Sequence, residues 1–251
     1  MQHSTQMIKK YTAIAVFSAL AYVCTLTVHI DVAGFLTFDI KDAVITVGAM
    51  FFGPLAAALS SLISCVLELT ISHTGPYGFI MNLASTTVFA LIPSIIYKYR
   101  RRLSTAILAL MAGILSMTAV MLALNLIITP FYTGLERAAV ASMIPTLLLP
   151  FNLVKGITNA SITMLLYKPV SRALHATGFS DAAISVTKGL NTSDVSYTTL
   201  SGEKSSDGDS SKVKAKKSIS MSISVTVISL AVCAACIAVF IFVLKGAVLP
   251  G

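Results

Sequence analysis

The chain has 251 residues, of which 56% are hydrophobic and only 11% charged, with a mean hydropathy of +0.86 and a formal net charge of +8. A soluble domain carries about 25% charged residues, so there is too little polar surface here to cover a water-soluble globule, and the bilayer is the natural solvent. The basic residues flank apolar runs instead of forming a nucleic-acid-binding patch, the pattern that orients membrane proteins.

A bilayer crossing needs about 20 apolar residues, and the chain offers six core runs. The first covers residues 11–30, and a short loop, 31–39, follows. The second covers 40–53 and ends at Gly53-Pro54, a turn signal. The third covers 55–71, and a Gly/Pro-rich loop, 72–78, separates it from the fourth, 79–97. The fifth covers 104–128 and is expected to stop at Thr129-Pro130; the sixth covers 141–167, with Pro145 and Pro150 near its start. The expected domain plan is an N-terminal segment 1–10, a six-helix core 11–177, a polar linker 178–217, a further transmembrane helix 218–245 and a tail 246–251. The linker is too rich in Ser, Thr, Asp, Lys and Gly to bury a core and is expected to be disordered. The fold class is therefore an all-α polytopic membrane protein.

Orientation follows from four basic clusters: Lys9 and Lys10; Lys98, Arg100, Arg101 and Arg102; Lys168 and Arg172; and Lys212, Lys214, Lys216 and Lys217. With alternating spans all four fall on one side, which the positive-inside rule makes cytoplasmic. Lys9-Lys10 before an apolar run resembles the start of a signal peptide, but the many later spans favour a retained first helix. Cys24, Cys65, Cys233 and Cys236 all lie in apolar runs. The Cys233/Cys236 pair lacks the companion ligands of a metal site, so the four read as small buried residues. No phosphate-binding loop, zinc-protease motif or nucleophile elbow is present, so the chain is not read as an enzyme. If ATP drives it, another subunit hydrolyses the ATP.

Lys155 is the feature that most needs an explanation, because it sits about ten residues into the sixth run. A charge at that depth costs about 2.5–3.5 kcal/mol on insertion scales, so it should face a bundle interior, a water-filled cavity or a ligand. Asn152 lies three residues earlier on the same helical face. Gly156 next to Lys155 allows a close neighbour. Asn125 lies near the outer end of the fifth run and reads as helix–helix glue at least as readily as a ligand contact. Gly75-Pro-Tyr-Gly78 leads as a shaped loop into Asn82, and Phe35-Leu-Thr-Phe-Asp39 shapes the first external loop. All of these map to the external half. They imply a pocket whose amides, one ammonium, Thr37 and the aromatics Phe35, Phe38, Tyr77 and Phe79 suit a flat, largely neutral ligand. Glu68 is the candidate counter-charge for Lys155. Ala15 and Ala19 form a small-xxx-small pair on the first helix, which suits close helix approach or ordinary bundle packing.

The combination resembles the substrate-binding S components of energy-coupling factor (ECF) vitamin transporters, most closely the riboflavin-specific RibU type. The matching stretches are Phe35-Leu-Thr-Phe-Asp-Ile-Lys-Asp42, Gly48-Ala-Met-Phe-Phe-Gly-Pro54-Leu-Ala56, Gly75-Pro-Tyr-Gly78 through Asn82, Leu124-Asn125 before Pro130, and Pro150-Phe-Asn-Leu-Val-Lys-Gly156, within residues 11–174. The resemblance implies a six-helix S component in a bacterial cell membrane, with the extra C-terminal helix outside the family pattern. It implies that Asn125, Asn152 and Lys155 hydrogen-bond a flavin ring, riboflavin or a relative being the transported ligand and no cofactor being needed. It further implies that Thr37, Gly78 and neighbours such as Asn82 close around the ligand. Ala15 and Ala19 would dock on a membrane coupling subunit, and two cytoplasmic ATPases would drive the cycle. Phe79 stands where many relatives carry an acidic residue. The residues alone also admit another vitamin, a stand-alone proton-coupled carrier using Glu68 and Lys155, or a membrane receptor.

Overall fold

The computed structural model describes residues 2–32, 34–72, 75–100 and 102–176; the expected linker, seventh span and tail lie outside the described residues. In chain order the elements are α1 (Gln2–Thr27), β1 (His29–Val32), β2 (Leu36–Asp39), α2 (Lys41–Phe52), α3 (Pro54–Glu68), α4 (Gly75–Tyr99), α5 (Leu103–Thr133) and α6 (Arg137–Met143), then one π-helical turn, Ile144–Leu148, and α7 (Leu149–Ala176).

The outer face of the bundle is largely apolar, and its interior holds many polar groups beside the apolar core. Leu108, Leu115 and Phe131 on α5 are 62–68% exposed, whereas Ser60, Ser61, Ser64, Thr86, Asn125, Asn152 and Asn159 are buried. In water such a surface would aggregate; in lipid the apolar side chains are solvated, and the polar groups must find partners inside. Among the described residues, four helical stretches are long and apolar enough to cross a bilayer: Met7–Thr27, Gly75–Tyr99, Leu103–Thr133 and Arg137–Leu174. Together with the short helices they make a multi-pass membrane protein.

The second and third expected spans are shorter than a full crossing. α2 has 12 residues and α3 has 15, about 18 and 22 Å of helix. They meet at Gly53, whose φ of +90° is cheap only for glycine. Their far ends carry Lys41, Asp42 and Glu68, all buried. The space beyond is filled by a β-hairpin where the sequence suggested a plain loop. Its strands pair antiparallel, His29 with Asp39 through Val32 with Leu36. Alternation places Leu36 and Phe38 in a core with Val32, Val140, Leu148 and Phe151.

Three further boundaries differ from expectation. Gly75–Gly78 forms the first turn of α4 and is not a loop. α5 does not stop at Thr129-Pro130 but runs to Thr133 and ends on Gly134 at φ +71°, a left-handed helix terminus. Hydroxyls support the backbone around Pro130: Thr133 Oγ1 donates to the Thr129 carbonyl at 2.7 Å, as proline-containing membrane helices require. The sixth run begins earlier, at Arg137, and widens at Ile144–Leu148. Pro145 and Pro150 each lack a helical N–H donor, and the wide turn between them absorbs the mismatch before Phe151 and Asn152.

Close helix contacts rest on glycine. A Cβ on Gly156 would lie 3.1 Å from Ile114 of α5, and one on Gly113 would lie 2.8 Å from the Pro93 ring and 3.3 Å from the Phe89 carbonyl. Neither the proline ring nor the backbone oxygen can yield. Gly113→Val is therefore expected to destabilise the bundle by about 1–3 kcal/mol, read as a lowered thermal midpoint in detergent.

Candidate functional site

A cavity of about 130 Å³ lies between the hairpin and the adjacent ends of α3, α4, α5 and α7. Its apolar walls include Phe35, Leu36, Phe79, Met81, Met121 and Phe151; its polar walls include Thr37, Glu68, Asn82, Tyr132, Asn152 and Lys155. Tyr132 stacks on Tyr77 from the first turn of α4, with ring centroids 5.9 Å apart.

Behind this cavity runs a chain of buried charges of alternating sign. Lys155 Nζ donates to Asp39 Oδ2 at 3.0 Å and to the Thr37 carbonyl at 3.2 Å. Asp39 Oδ2 also lies 3.5 Å from Lys41 Nζ, and Lys41 Nζ donates to Glu68 Oε2. Glu68 Oε2 accepts in addition from Asn82 Nδ2 at 2.6 Å. Asp42 sits to one side, 4.0 Å from Lys155 Nζ, and accepts from Thr86 Oγ1 at 2.7 Å. Asp39, Lys41 and Asp42 are fully buried, and Glu68 and Lys155 are 4% and 5% exposed. Glu68, proposed above as the counter-charge of Lys155, instead pairs with Lys41; the Lys155 partner is Asp39. The reason is topological, since the hairpin delivers β2 directly onto α7.

Asn159, one turn beyond Lys155, locks this arrangement. Its Nδ2 donates to the Asp39 carbonyl at 3.0 Å, and its Oδ1 accepts the Ala43 N–H, also at 3.0 Å. The start of α2 has no side-chain cap of its own, and Asn159 supports it from another helix by sharing the Ala43 N–H, which also reaches the Ile40 carbonyl at 3.3 Å.

The structure brings Thr37, Gly78, Asn82, Asn152 and Lys155 to the cavity wall. Of the aromatics, Phe35 and Phe79 also line it, whereas Phe38 is buried in the hairpin core. Asn125 is not brought there. Its Nδ2 donates to the Met121 carbonyl at 2.7 Å and its Oδ1 accepts from Thr129 Oγ1 at 3.0 Å, both within α5. Ala15 and Ala19 are exposed on the outward face of α1. Sequence reasoning missed Asp39, Lys41, Asp42 and Asn159. The available signal was three charges in four residues, Asp39-Ile-Lys41-Asp42, at the edge of an apolar run, a pattern that usually marks a solvated helix start.

A polytopic bundle with an open cavity over a buried charge chain fits a membrane substrate-binding subunit. The family model "ECF transporter, substrate-specific component" matches residues 9–167, and the chain belongs to that family; it is a transport subunit and not an enzyme. Among curated proteins it is similar to "Riboflavin transporter FmnP" of Bacillus subtilis (strain 168), 28% identical over 173 residues, covering 64% of this chain and 90% of that one. It is likewise similar to "Riboflavin transporter RibU" of Staphylococcus aureus (strain TCH60), 28% identical over 178 residues, covering 67% and 94%. A solved S component of a bacterial ECF transporter matches with a TM-score of 0.59 at 27% identity, covering 67% of this chain and 98% of that one.

Removing one member of a buried ion pair strands its partner and costs about 3–5 kcal/mol. Asp39→Asn keeps the shape but removes the charge that Lys155 and Lys41 share. It is expected to lower stability by about 3 kcal/mol, measured by thermal unfolding in detergent.

Proposed function

We propose that this chain binds riboflavin or a closely related flavin from the external face of the membrane, as the S component of an ECF transporter. The observation that carries the reading is the convergence of Lys155, Asn152, Thr37 and Asn82 with Phe35, Phe79 and Phe151 on one cavity. An ammonium has three donors and no acceptor. Lys155 spends two on Asp39 and Thr37, which leaves one for a ligand carbonyl. Asn152 uses one N–H on the Leu148 carbonyl at 2.8 Å and keeps its Oδ1 as an acceptor. An acceptor beside a donor matches the edge of a flavin ring, where an N–H lies between two carbonyls. Because Asp39 already balances Lys155, the ligand itself can be neutral. Asn125 joins this set only after its side chain leaves Met121 and Thr129.

The N-terminus is assigned to the cytoplasm from the basic clusters. The exposed Ala15 and Ala19 offer a flat strip for a coupling transmembrane subunit, which would work with two cytoplasmic ATPases. Small residues favour such close helix approach.

The test is purification of the full chain in detergent, followed by identification of any bound ligand by mass. A yellow protein with flavin absorbance supports the reading; a colourless one indifferent to added riboflavin overturns it. Lys155→Ala and Asn152→Ala are each expected to weaken riboflavin binding at least tenfold, about 1.4 kcal/mol, with Asn125→Ala costing less. Flavin fluorescence quenching measures this. Ala15→Leu is expected to leave binding intact and to impair riboflavin uptake by cells that supply the partner subunits; loss of binding would assign this face of α1 to folding.

A further inference from the structure

The charge chain ends at a group for which the flavin-ring contacts give no role. Glu68 closes α3, lines the cavity and is 4% exposed. Both of its charged and amide donors, Lys41 Nζ and Asn82 Nδ2, converge on Oε2. The hydrogen bonds described for Glu68 thus leave Oε1 out. Asn82 spends its amide nitrogen on Glu68, which leaves its own carbonyl oxygen for the cavity. Ser85, one turn along α4, also lines the cavity, with its hydroxyl oxygen buried and without a partner.

An ionised carboxylate only accepts hydrogen bonds, and a hydroxyl both donates and accepts. The α3/α4 wall is thus rich in acceptors, while the α7 wall carries the Lys155 donor. Lys41 pairs with Glu68 from behind without lining the cavity. We infer that Glu68 is a specificity-determining residue that accepts hydrogen bonds from ligand hydroxyl groups, so that the cavity selects a flat ring bearing a polyol side chain. This rests on the flavin reading above and adds the second pole of the ligand to it. An unsatisfied buried acceptor discriminates strongly against a ligand that lacks the matching hydroxyl.

The experiment compares riboflavin with lumiflavin, which keeps the ring and replaces the polyol with a methyl group. Both are titrated onto ligand-free full-length protein by fluorescence quenching. The wild type is expected to bind riboflavin more tightly. Glu68→Gln is expected to weaken riboflavin at least tenfold and to leave lumiflavin within about twofold, tenfold corresponding to about 1.4 kcal/mol. Equal loss for both ligands would reduce Glu68 to a counter-ion of Lys41 and overturn the inference, as would no loss for either. If the single variant does not fold because Lys41 is stranded, Glu68→Gln combined with Lys41→Met removes the stranded charge, and the same split between the ligands is required. A wild type that binds neither flavin overturns the flavin reading and this inference together. A wild type that binds both equally well overturns this inference alone.

Discussion

The structure turns on the run Lys155–Asp39–Lys41–Glu68, four charges of alternating sign with almost no access to solvent. Each would be costly alone at this depth. Linked end to end they neutralise one another, and they can do so only if the hairpin, the start of α2, the end of α3 and the middle of α7 all reach the same place. Buried ion pairs contribute little net stability once desolvation is counted. Their effect here is registration: displacing any one of the four elements strands a charge. This constraint also accounts for two helices too short to cross a bilayer, since α2 begins and α3 ends on members of the chain.

The same run connects the interior to the ligand cavity. Lys155 and Glu68 both line it, from walls formed by different helices. Neither has to neutralise a charged ligand, because each is balanced by a residue behind the wall. A site built this way is held in position before any ligand arrives, since reorienting either group would break a buried pair. The surrounding aromatic and methionine side chains supply apolar area without adding charge.

The identity of the elements was largely legible in the sequence, and their ends were not. Apolar runs located the helices of the described core, because lipid leaves no alternative partner for backbone groups. Prolines misled at both ends of the molecule's middle. Pro130 suggested a stop, yet α5 continues, because Thr129 and Thr133 bond within the helix around it. Pro76 and its glycines suggested a loop, yet Gly75–Gly78 opens α4, where a proline in the first turn costs no hydrogen bond.

By itself the sequence determined the solvent, the apolar helices and the conspicuous Lys155 beside Asn152, because composition, run length and the cost of a lone membrane charge are local properties. Gly156 was equally readable as a point of close approach. Which charge meets which was decided only by tertiary structure. Asp39 reaches Lys155 across 116 residues of chain, and Lys41 reaches Glu68 across 27. The folding of 29–39 into a hairpin sets both pairings. Asn125 turns onto its own helix, where its amide donates to the Met121 carbonyl and accepts from Thr129 Oγ1. Charge pairing depends on distance in space, and residue spacing along the chain carries no record of that distance until the helices pack.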